Sequence, residues 1–546
     1  MKKRITPLIV LFIFSATLMW GQNTFTVTSN ADSGEGSLRD IVADATDNDS
    51  IVIQDDINTI VLASEISTTK SLKINGQGAT VKVTESKVSD YRPLEFVSPS
   101  SDPLVIINVA LYNLTLIGGD ISAASTTQEK NGGALYVKRA SLKLFNCTLT
   151  GKAYDGGGLY SENSTTLYVD GCTFDACVVT HNHAATALGG FANGFTIKNS
   201  IISNNDATAA GGSSGIDISG VSGGTISNCI FMDNISKTGR GGAALSHRSK
   251  AQLKVENCLF EGNVNNGTDG GSAFTKQEAD VASVCVFTNC TFYNNNGGRG
   301  AAYLYAGKST FVNCSFAANK TISGADAKYG GGLYISGGSP IATLVNNILA
   351  YNYNSAGGTK DIYVSSATLD GTKNLLAVEQ GVGSSLTSGV GFIYDMENRD
   401  NDSKLFANYT TADSKKIPIL ETLNGTLPLH ANSVAKASGT TSYASVSIPV
   451  TDQRGIVRAT TPCIGSYEYT TATGMNNASI LDNVRIVGNQ LIVNTETEAL
   501  MTIYNVTGQV LAIAGLNRGE NRLNLEIQGL IIIKIGNKTG KFMINY

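Results

Sequence analysis

Residues 228–234 read Asn-Cys-Ile-Phe-Met-Asp-Asn, and residues 257–263 read Asn-Cys-Leu-Phe-Glu-Gly-Asn. The same string begins again at Asn289 and at Asn313, and weaker copies lie before and after these four. With the cysteine position as origin, the copies lie at residues 114, 147, 172, 200, 229, 258, 290, 314 and 347. A period of this length is typical of solenoids, in which each unit stacks on its neighbours.

A second, glycine-rich string precedes six of these origins. It begins at Gly132, Gly156, Gly241, Gly270, Gly300 and Gly330. Between the two strings lie short runs of alternating or β-branched residues such as Ser141–Phe145, whereas a sustained 3.6-residue period is missing. The unit is therefore made of strands, and its length fits one turn of a parallel β-helix. We predict an all-β solenoid.

Strand side chains alternate, so the Phe or Leu two places after the cysteine position shares its inward side. The Asn five places after it, such as Asn234, falls where the strand should end. There we expect its amide to form a ladder along the stack, with a left-handed backbone. The paired glycines suit a tight corner with positive φ. These roles are structural rather than catalytic.

Six of the nine cysteines share one inward repeat position. They are Cys147, Cys172, Cys229, Cys258, Cys290 and Cys314. Neighbours could meet the Cα distance of a disulfide, but their parallel Cβ vectors give it poor geometry. We therefore favour a stack of buried thiols over bridges.

The composition agrees with a stacked β architecture. The chain has 59 Gly and 9 Pro among 546 residues, and only 15% of its residues are charged. Its 40 Lys and Arg against 44 Asp and Glu exclude a basic nucleic-acid binder.

The N-terminus reads as a secretory signal peptide over residues 1–22. Lys2, Lys3 and Arg4 lead into the apolar stretch Leu8–Met19, which is shorter than a membrane span. We expect no transmembrane segment after its removal.

Residues 23–469 are assigned to the β-helix and its N-terminal cap. The strand Phe25–Thr28 and the short helix Ser37–Ala45 resemble the caps of extracellular right-handed β-helix proteins. The Gly-Gly-Ala/Leu and Phe-x-x-Asn strings are similar to the repeats of bacterial polymorphic outer membrane proteins.

The end of this region resembles the closing motif of the "choice-of-anchor" β-helix family. It comprises Asp452-Gln453-Arg454-Gly455, Arg458 and Ile464–Glu468, with Cys463 where the motif usually has Asp. We interpret Asp452, Arg454, Arg458 and Glu468 as salt-bridge residues that close the last turns, with catalysis by them as the alternative.

Residues 470–477 read as a linker, and residues 478–546 as a small antiparallel β-sandwich. The strings Ile503–Gln509 and Gly529–Lys534 and the Lys-led last strand resemble the C-terminal sorting domain of the type IX secretion system. Ile531 stands where a Tyr is common, and the Asn-Pro often found near the start is missing. The resemblance implies the type IX machinery as partner. It also implies a location outside the cell or on the outer-membrane surface of a Gram-negative bacterium.

Parallel β-helices often carry polysaccharide-active enzymes, so we searched for acid and base groups on adjacent turns. Asp155 and Asp269 precede paired glycines, but Arg240 and Arg299 hold similar places, so no carboxylate pair recurs there. A patch of Arg240, Asp269 and Arg299 is the weak catalytic candidate.

The His181-Asn182-His183 pair gathers no further ligands in sequence, and we expect neither a metal nor a cofactor. Walker loops, dinucleotide fingerprints and nucleophile elbows are also missing in context.

The sequence favours adhesion or binding of glycans or host and matrix polymers. The alternatives are a polysaccharide lyase or glycoside hydrolase, and a structural surface protein without a ligand. Clustered Asp, Arg and aromatic residues along a groove would favour the enzyme, and a flat face of low charge would favour binding.

Overall fold

The computed structural model describes most of the chain. The residues described are 22–84, 91–99, 105–124, 126–164, 166–181, 186–189, 194–207, 213–219, 223–237, 241–280, 282–322, 325–326, 329–376, 392–394, 404–412, 415–421, 425–470, 484–487, 490–495, 497, 499–505, 510–524, 529–535 and 538–544. Two compact units are present, one of residues 1–420 with 426–467 and one of residues 421–425 with 468–546. Almost all of the expected signal peptide and linker lies outside the described residues.

The first unit is a right-handed parallel β-helix of about eleven turns, which confirms the predicted fold. A full turn passes through four ladders of parallel strands, numbered here from the strand that precedes the Asn-Cys string. Ladder 1 consists of Thr24–Val27, Ser50–Ile53, Leu72–Asn75, Ile107–Tyr112, Ala140–Phe145, Thr166–Asp170, Phe195–Lys198, Gly224–Ser227, Leu253–Glu256, Val284–Thr288, the second halves of Ala302–Val312 and Leu333–Val345, and Thr368–Thr372. Ladder 2 consists of Thr59–Leu62, Thr80–Val83, Thr115–Asp120, Thr148–Ala153, Thr173–Asp175, Ile201–Ser203, Ile230–Met232, Leu259–Glu261, Thr291–Tyr293, Ser315–Ala317, Ile348–Ala350, Asn374–Leu376 and Phe392–Tyr394.

The other two ladders complete the turn. Ladder 3 is short and consists of the end of Thr148–Ala153, then Val178–Val179, Asp206–Ala207, Ile235–Ser236, Val264–Asn265, Asn296–Gly297 and Lys320–Thr321. Ladder 4 consists of Ile66–Thr68, Leu94–Val97, Leu135–Lys138, Leu159–Glu162, Thr186–Gly189, Ile216–Ser219, Leu245–His247, Phe274–Lys276, the first halves of Ala302–Val312 and Leu333–Val345, and Ile362–Val364.

Inward side chains stack into a continuous apolar core. The phenylalanines two places after the cysteine position form a column: the ring centroids of Phe231 and Phe260 lie 4.7 Å apart, Phe260 and Phe292 4.8 Å, and Phe292 and Phe316 4.3 Å. All four are fully buried. The spacing is that of neighbouring strands, because one ring is contributed by each turn.

The predicted amide ladder is also present. The row of fully buried residues comprises Asn205, Asn234, Asn263, Asn295, Asn319 and Asn352. Nδ2 of each of the first five donates to the Oδ1 atom of the next at 2.8–2.9 Å, and Nδ2 of Asn352 donates to Oδ1 of Asp361. The prediction of a left-handed backbone at these residues is wrong by one position. The positive φ belongs to the preceding residue, for example Asp233 at 53° and Asn294 at 53°. That residue turns the chain, so the next side chain can point inward.

A second asparagine row marks the bend between ladders 1 and 2. The residue before each cysteine position is Asn with φ between 49° and 56°, as at Asn113, Asn228, Asn257 and Asn346, except for Gly171, with φ 66°. These amides also pair between turns, but they donate toward the preceding turn: Nδ2 of Asn257 lies 3.3 Å from Oδ1 of Asn228. The left-handed conformation explains why Asn recurs at this bend.

The paired glycines serve two different needs. Gly132 has φ +73°, as predicted for a tight corner. Gly271 does not have a positive φ, but a Cβ there would lie 2.2 Å from the carbonyl oxygen of Phe274. At that corner glycine is required because the neighbouring backbone leaves no room for a side chain, and not because of its φ angle.

The β-helix cysteines are buried free thiols. The backbone N–H of Cys229 donates to Sγ of Cys258 at 3.4 Å, and Cys147 donates in the same way to Cys172. The six thiols of the repeat position therefore form one stacked row, as predicted, whereas the other cysteines, such as Cys285 on ladder 1, lie outside it.

The cap also forms where expected. The strand Thr24–Val27 pairs with Ser50–Ile53, and the helix Leu38–Asp44 begins after Ser37, whose side chain accepts from the N–H of Asp40. Leu38 is fully buried against the first turns. A second short helix, Thr127–Lys130, was not foreseen.

The segment 426–467, termed the closing segment, lies along the bend between ladders 1 and 2. Nδ2 of Asn289 donates to the carbonyl of Thr451 at 2.9 Å, and Arg458 donates from Nη2 to Oδ1 of Asn289 at 2.9 Å. Asp452 is fully buried and binds Arg454 at 2.6 Å. The closing residues thus dock on late turns, partly through amides rather than through salt bridges alone. An antiparallel hairpin, Tyr409–Ala412 with Lys415–Pro418, precedes this segment.

The second unit is antiparallel, as predicted for the tail. One sheet contains Val484–Val487, Gln490–Thr495 and Gly519–Asn524, and the other contains Ala499–Asn505, Val510–Leu516, Gly529–Ile535 and Lys538–Ile544. Met501, Ile503, Leu491 and Ile533 are among its buried core residues. The strands Val484–Val487 and Val510–Leu516 were not anticipated.

Candidate functional site

The side of ladder 4 that points away from the core carries one row of polar and aromatic side chains in register. Most of them are buried, whereas Ser67, Tyr160 and Tyr363 are partly or fully exposed. Strand pairing places these residues on successive turns: Ser67, Glu95, Tyr136, Tyr160, Asp217, Ser246, Thr275, Tyr303, Tyr334 and Tyr363, with the backbone of Ala187 pairing between Tyr160 and Asp217. Each is flanked by an inward residue such as Leu135 or Ile335, because strand side chains alternate. We call this surface the ladder 4 face.

At the N-terminal end of the face, two carboxylates meet one arginine. Nη1 of Arg92 lies 2.9 Å from Oε1 of Glu95 and 3.1 Å from Oε2 of Glu65. Ser67 donates to the other oxygen of Glu95 at 2.6 Å, and the guanidinium of Arg92 lies 5.1 Å from the ring of Tyr136.

Burial raises the pKa of Glu65 to about 7, against the lowering effect of Arg92 and with added repulsion from Glu95. Two nearby carboxylates cannot both ionise freely, so one of them holds a proton near neutral pH. This is the arrangement in which one acid donates a proton and its neighbour stays charged.

The next turns continue the polar network. The hydroxyl of Tyr136 donates to Oε2 of Glu162, and Lys138 binds Oε1 of Glu162 at 2.7 Å. Burial, together with the Glu162 carboxylate, raises the pKa of Tyr136. The rings of Tyr136 and Tyr160 are parallel, with centroids 5.9 Å apart.

A second cluster lies in the middle of the face. Nε of Arg248 donates to Oδ1 of the buried Asp217 at 3.0 Å. Beside it, Nδ1 of His181 lies 3.4 Å from Oδ1 of Asp155. The imidazole also stacks on Tyr154 with a centroid distance of 4.0 Å.

A third cluster surrounds Arg299 near the last turns. Its Nε lies 3.4 Å from Oδ1 of Asp269, and its Nη1 donates to the hydroxyl of Tyr334 at 3.0 Å. The guanidinium lies 4.2 Å from the ring of Tyr329 and 4.8 Å from that of Tyr334. Tyr334 stacks in turn on Tyr363 at 4.8 Å.

Two of the three candidate residues from the sequence are therefore neighbours, since Arg299 contacts Asp269. Arg240, the third, lies outside the described residues. Sequence reasoning missed the acid pair Glu65 and Glu95, which belongs to early turns without the repeat strings. The tyrosine row had a visible signal, because Tyr136, Tyr160 and Tyr334 end the glycine-rich strings.

Within the described ranges, His, Cys, Asp and Glu side chains form no group of three suited to a metal ion. Neither helix in that part of the chain is long and apolar enough to span a membrane.

One protein family matches part of the chain and supports the architecture. Residues 96–278 match the family described as "Right handed beta helix region". The crystal structure of pectate lyase Pel9A is similar at 15% identity and a TM-score of 0.36, over 82% of this chain and 97% of that one. Geobacillus virus E2 ORF18 is similar at 12% identity and a TM-score of 0.32, over 96% of this chain and 79% of that one. No curated protein matches the chain.

Proposed function

We propose that this protein binds glycans and that the ladder 4 face is its binding surface. The observation that carries the proposal is the single row of in-register side chains along ladder 4. This row contains five tyrosines and the carboxylates Glu95 and Asp217, each of which binds an arginine. Beside the row, Arg299 binds Asp269 and Tyr334.

The chemistry of the row suits a linear sugar polymer. Carboxylate and guanidinium groups are strong acceptors and donors for hydroxyl groups, and tyrosines offer an apolar ring beside a polar hydroxyl. Because every turn of the β-helix repeats the spacing of its strands, such groups recur along one direction, as a linear ligand requires.

A glycan array with the purified full chain tests this proposal. We expect retention of at least one polysaccharide, and weaker retention by Arg299→Ala, which removes the guanidinium that joins Asp269 to Tyr334. Lys254→Ala, an exposed position on ladder 1, is the matched control and should bind normally. A chain that binds no polysaccharide would contradict the proposal and would favour a structural surface protein.

A second candidate function is cleavage of the bound glycan by a lyase or hydrolase. The clustered Asp, Arg and Tyr residues of the face favour it more than a flat face of low charge would. The specific observation is the raised pKa of Glu65 beside Glu95 on Arg92, since an acid that holds its proton near neutral pH can act as a general acid. New reducing ends or unsaturated products from a retained polysaccharide, lost in Glu95→Gln, would establish the enzyme. Binding without products supports the adhesin.

We further propose that the protein is secreted and displayed on the outer-membrane surface. The support is the basic and apolar N-terminus of residues 1–22 and the resemblance of residues 478–546 to type IX sorting domains. Deletion of residues 478–546 should leave the protein in the periplasm, as measured by cell fractionation. Unchanged surface exposure of the truncated chain would contradict this route.

A further inference from the structure

We infer that the ligand of the ladder 4 face is an uncharged glycan chain rather than a polyuronate. The inference rests on the proposed function and adds the class of sugar. It follows from the way the cations of the face are already used.

At the N-terminal end, two cations hold carboxylates of the same face, and a third, Arg139, lies near Glu162. Arg92 binds Glu95 at 2.9 Å and also reaches Glu65 at 3.1 Å, while Lys138 binds Glu162 at 2.7 Å. A uronate carboxylate placed here would have to displace one of these acids and then lie beside it, at a cost in like-charge repulsion.

The other two clusters repeat this pattern. Arg248 binds Asp217 at 3.0 Å and Arg299 lies 3.4 Å from Asp269. Asp155, close to the middle cluster, adds another acid. In the described part of the face, therefore, no cluster has more cations than acids, so none of them suits a polyanion.

Hydroxyl groups face no such penalty. At the third cluster, where the side chains of Arg299 and Asp269 are partly exposed, a sugar hydroxyl donates to the carboxylate and accepts from the guanidinium N–H without breaking the ion pair between them. The uncharged rings then lie against Tyr329 and Tyr363, which are half-buried at the edge of the third cluster. Such binding depends little on ionic strength, whereas attraction between opposite charges weakens as salt increases.

The test is affinity electrophoresis of the purified full chain in gels containing laminarin, xyloglucan or galactomannan, compared with polygalacturonate or alginate. We expect at least one uncharged polymer to bind about tenfold more tightly than either polyuronate. We also expect its affinity to change less than about twofold between roughly 0.05 and 0.5 M NaCl.

A charge variant sharpens the test. Asp269→Asn frees the guanidinium of Arg299 and keeps the size of the side chain. It should weaken binding of the uncharged polymer and strengthen binding of the polyuronate several-fold. Lys254→Gln is the control and should change neither. Salt-sensitive preference for a polyuronate in the native chain would overturn the inference and leave glycan binding in place. Failure to bind both classes would overturn both proposals.

Discussion

Asn263 donates from its Nδ2 atom to the Oδ1 atom of Asn295 on the next turn at 2.9 Å, and both side chains are fully buried. The same amide donates to the carbonyl of Phe231 at 2.9 Å, and its own Oδ1 accepts from Asn234. Polar groups buried in a core must be paired, and here each asparagine depends on both of its neighbours. The row therefore fixes the register of adjacent turns.

We predict that Asn263→Ala lowers the free energy of unfolding by about 2–4 kcal/mol, because it leaves the buried amide of Asn234 without its acceptor. Urea denaturation followed by circular dichroism measures the change. Asn257→Gly is the matched control from the bend row. Glycine retains the positive φ of 55° there and removes only a half-exposed amide, so the cost should stay below about 1 kcal/mol. Equal losses in the two variants would contradict a special role for the buried row.

A buried lysine gives the second prediction. Lys276 is fully buried on the inward side of ladder 4, with its Nζ 3.1 Å from Nδ1 of His247 and 2.5 Å from Oγ of Ser283. Burial lowers the pKa of Lys276, and burial together with this lysine lowers the pKa of His247 to about 3. The charged lysine therefore destabilises the fold at every pH below its unfolded pKa of about 10.4.

Lys276→Met should raise the melting temperature at pH 7, with a gain on the order of 1–3 kcal/mol. The difference in stability between the two proteins should shrink as the pH approaches about 10, because Lys276 then loses its proton in the unfolded state as well as in the folded state. Thermal melts of both proteins across this range measure the difference. Lys254→Met, on the exposed side of ladder 1, should show no such gain. A constant difference between pH 7 and 10 would contradict the electrostatic explanation.

Phe292, Asn295 and Glu65 show how much of the structure could be predicted from the sequence. Phe292 and Asn295 were placed correctly inside the stack, because a two-residue alternation fixes the side on which each strand residue lies. Asn294 has the left-handed conformation that was expected for Asn295. The repeat string shows that the chain turns here, but it does not show which residue has the positive φ. Glu65 meets Glu95 across 30 residues of sequence without any repeat string, so their contact depends on the exact lengths of two early turns. The same limit applies to His247 and Lys276, whose inward direction depends on register.

The acid pair gives a third prediction, on pH dependence. The folded pKa of Glu65 is about 7, above its unfolded value of about 4.3. A raised pKa means that folding favours the protonated form. The contribution of Glu65 to the free energy of unfolding is therefore fully present below about pH 4 and is lost as the pH rises through about 7. Glu65→Gln, which mimics the protonated acid, should be more stable than the native chain at pH 8, by on the order of 1–3 kcal/mol.

Differential scanning calorimetry at pH 4 and pH 8 checks this expectation. The two proteins should differ at pH 8 and converge at pH 4. Glu256→Gln is the control, because Glu256 is an exposed residue of ladder 1, and it should show no difference at either pH. A Glu65→Gln protein that is less stable than the native chain at pH 8 would mean that the ion pair with Arg92 outweighs the burial of the acid.

The thiol row gives the last prediction. Burial raises the pKa of Cys229, Cys258 and Cys290 in this row well above that of an ordinary thiol, and thiolate is the reactive form of cysteine. We therefore expect iodoacetamide to leave these three thiols unlabelled in the native protein at pH 8. In guanidinium chloride, without any reductant, the same thiols should all be alkylated, because a stack of free thiols holds no bridge to break. Peptide mass mapping of the two samples measures this, with the reduced and denatured chain as the control for full labelling. Disulfide-linked peptides that join Cys229 to Cys258, or Cys290 to Cys314, would show instead that adjacent turns are bridged despite their parallel Cβ vectors.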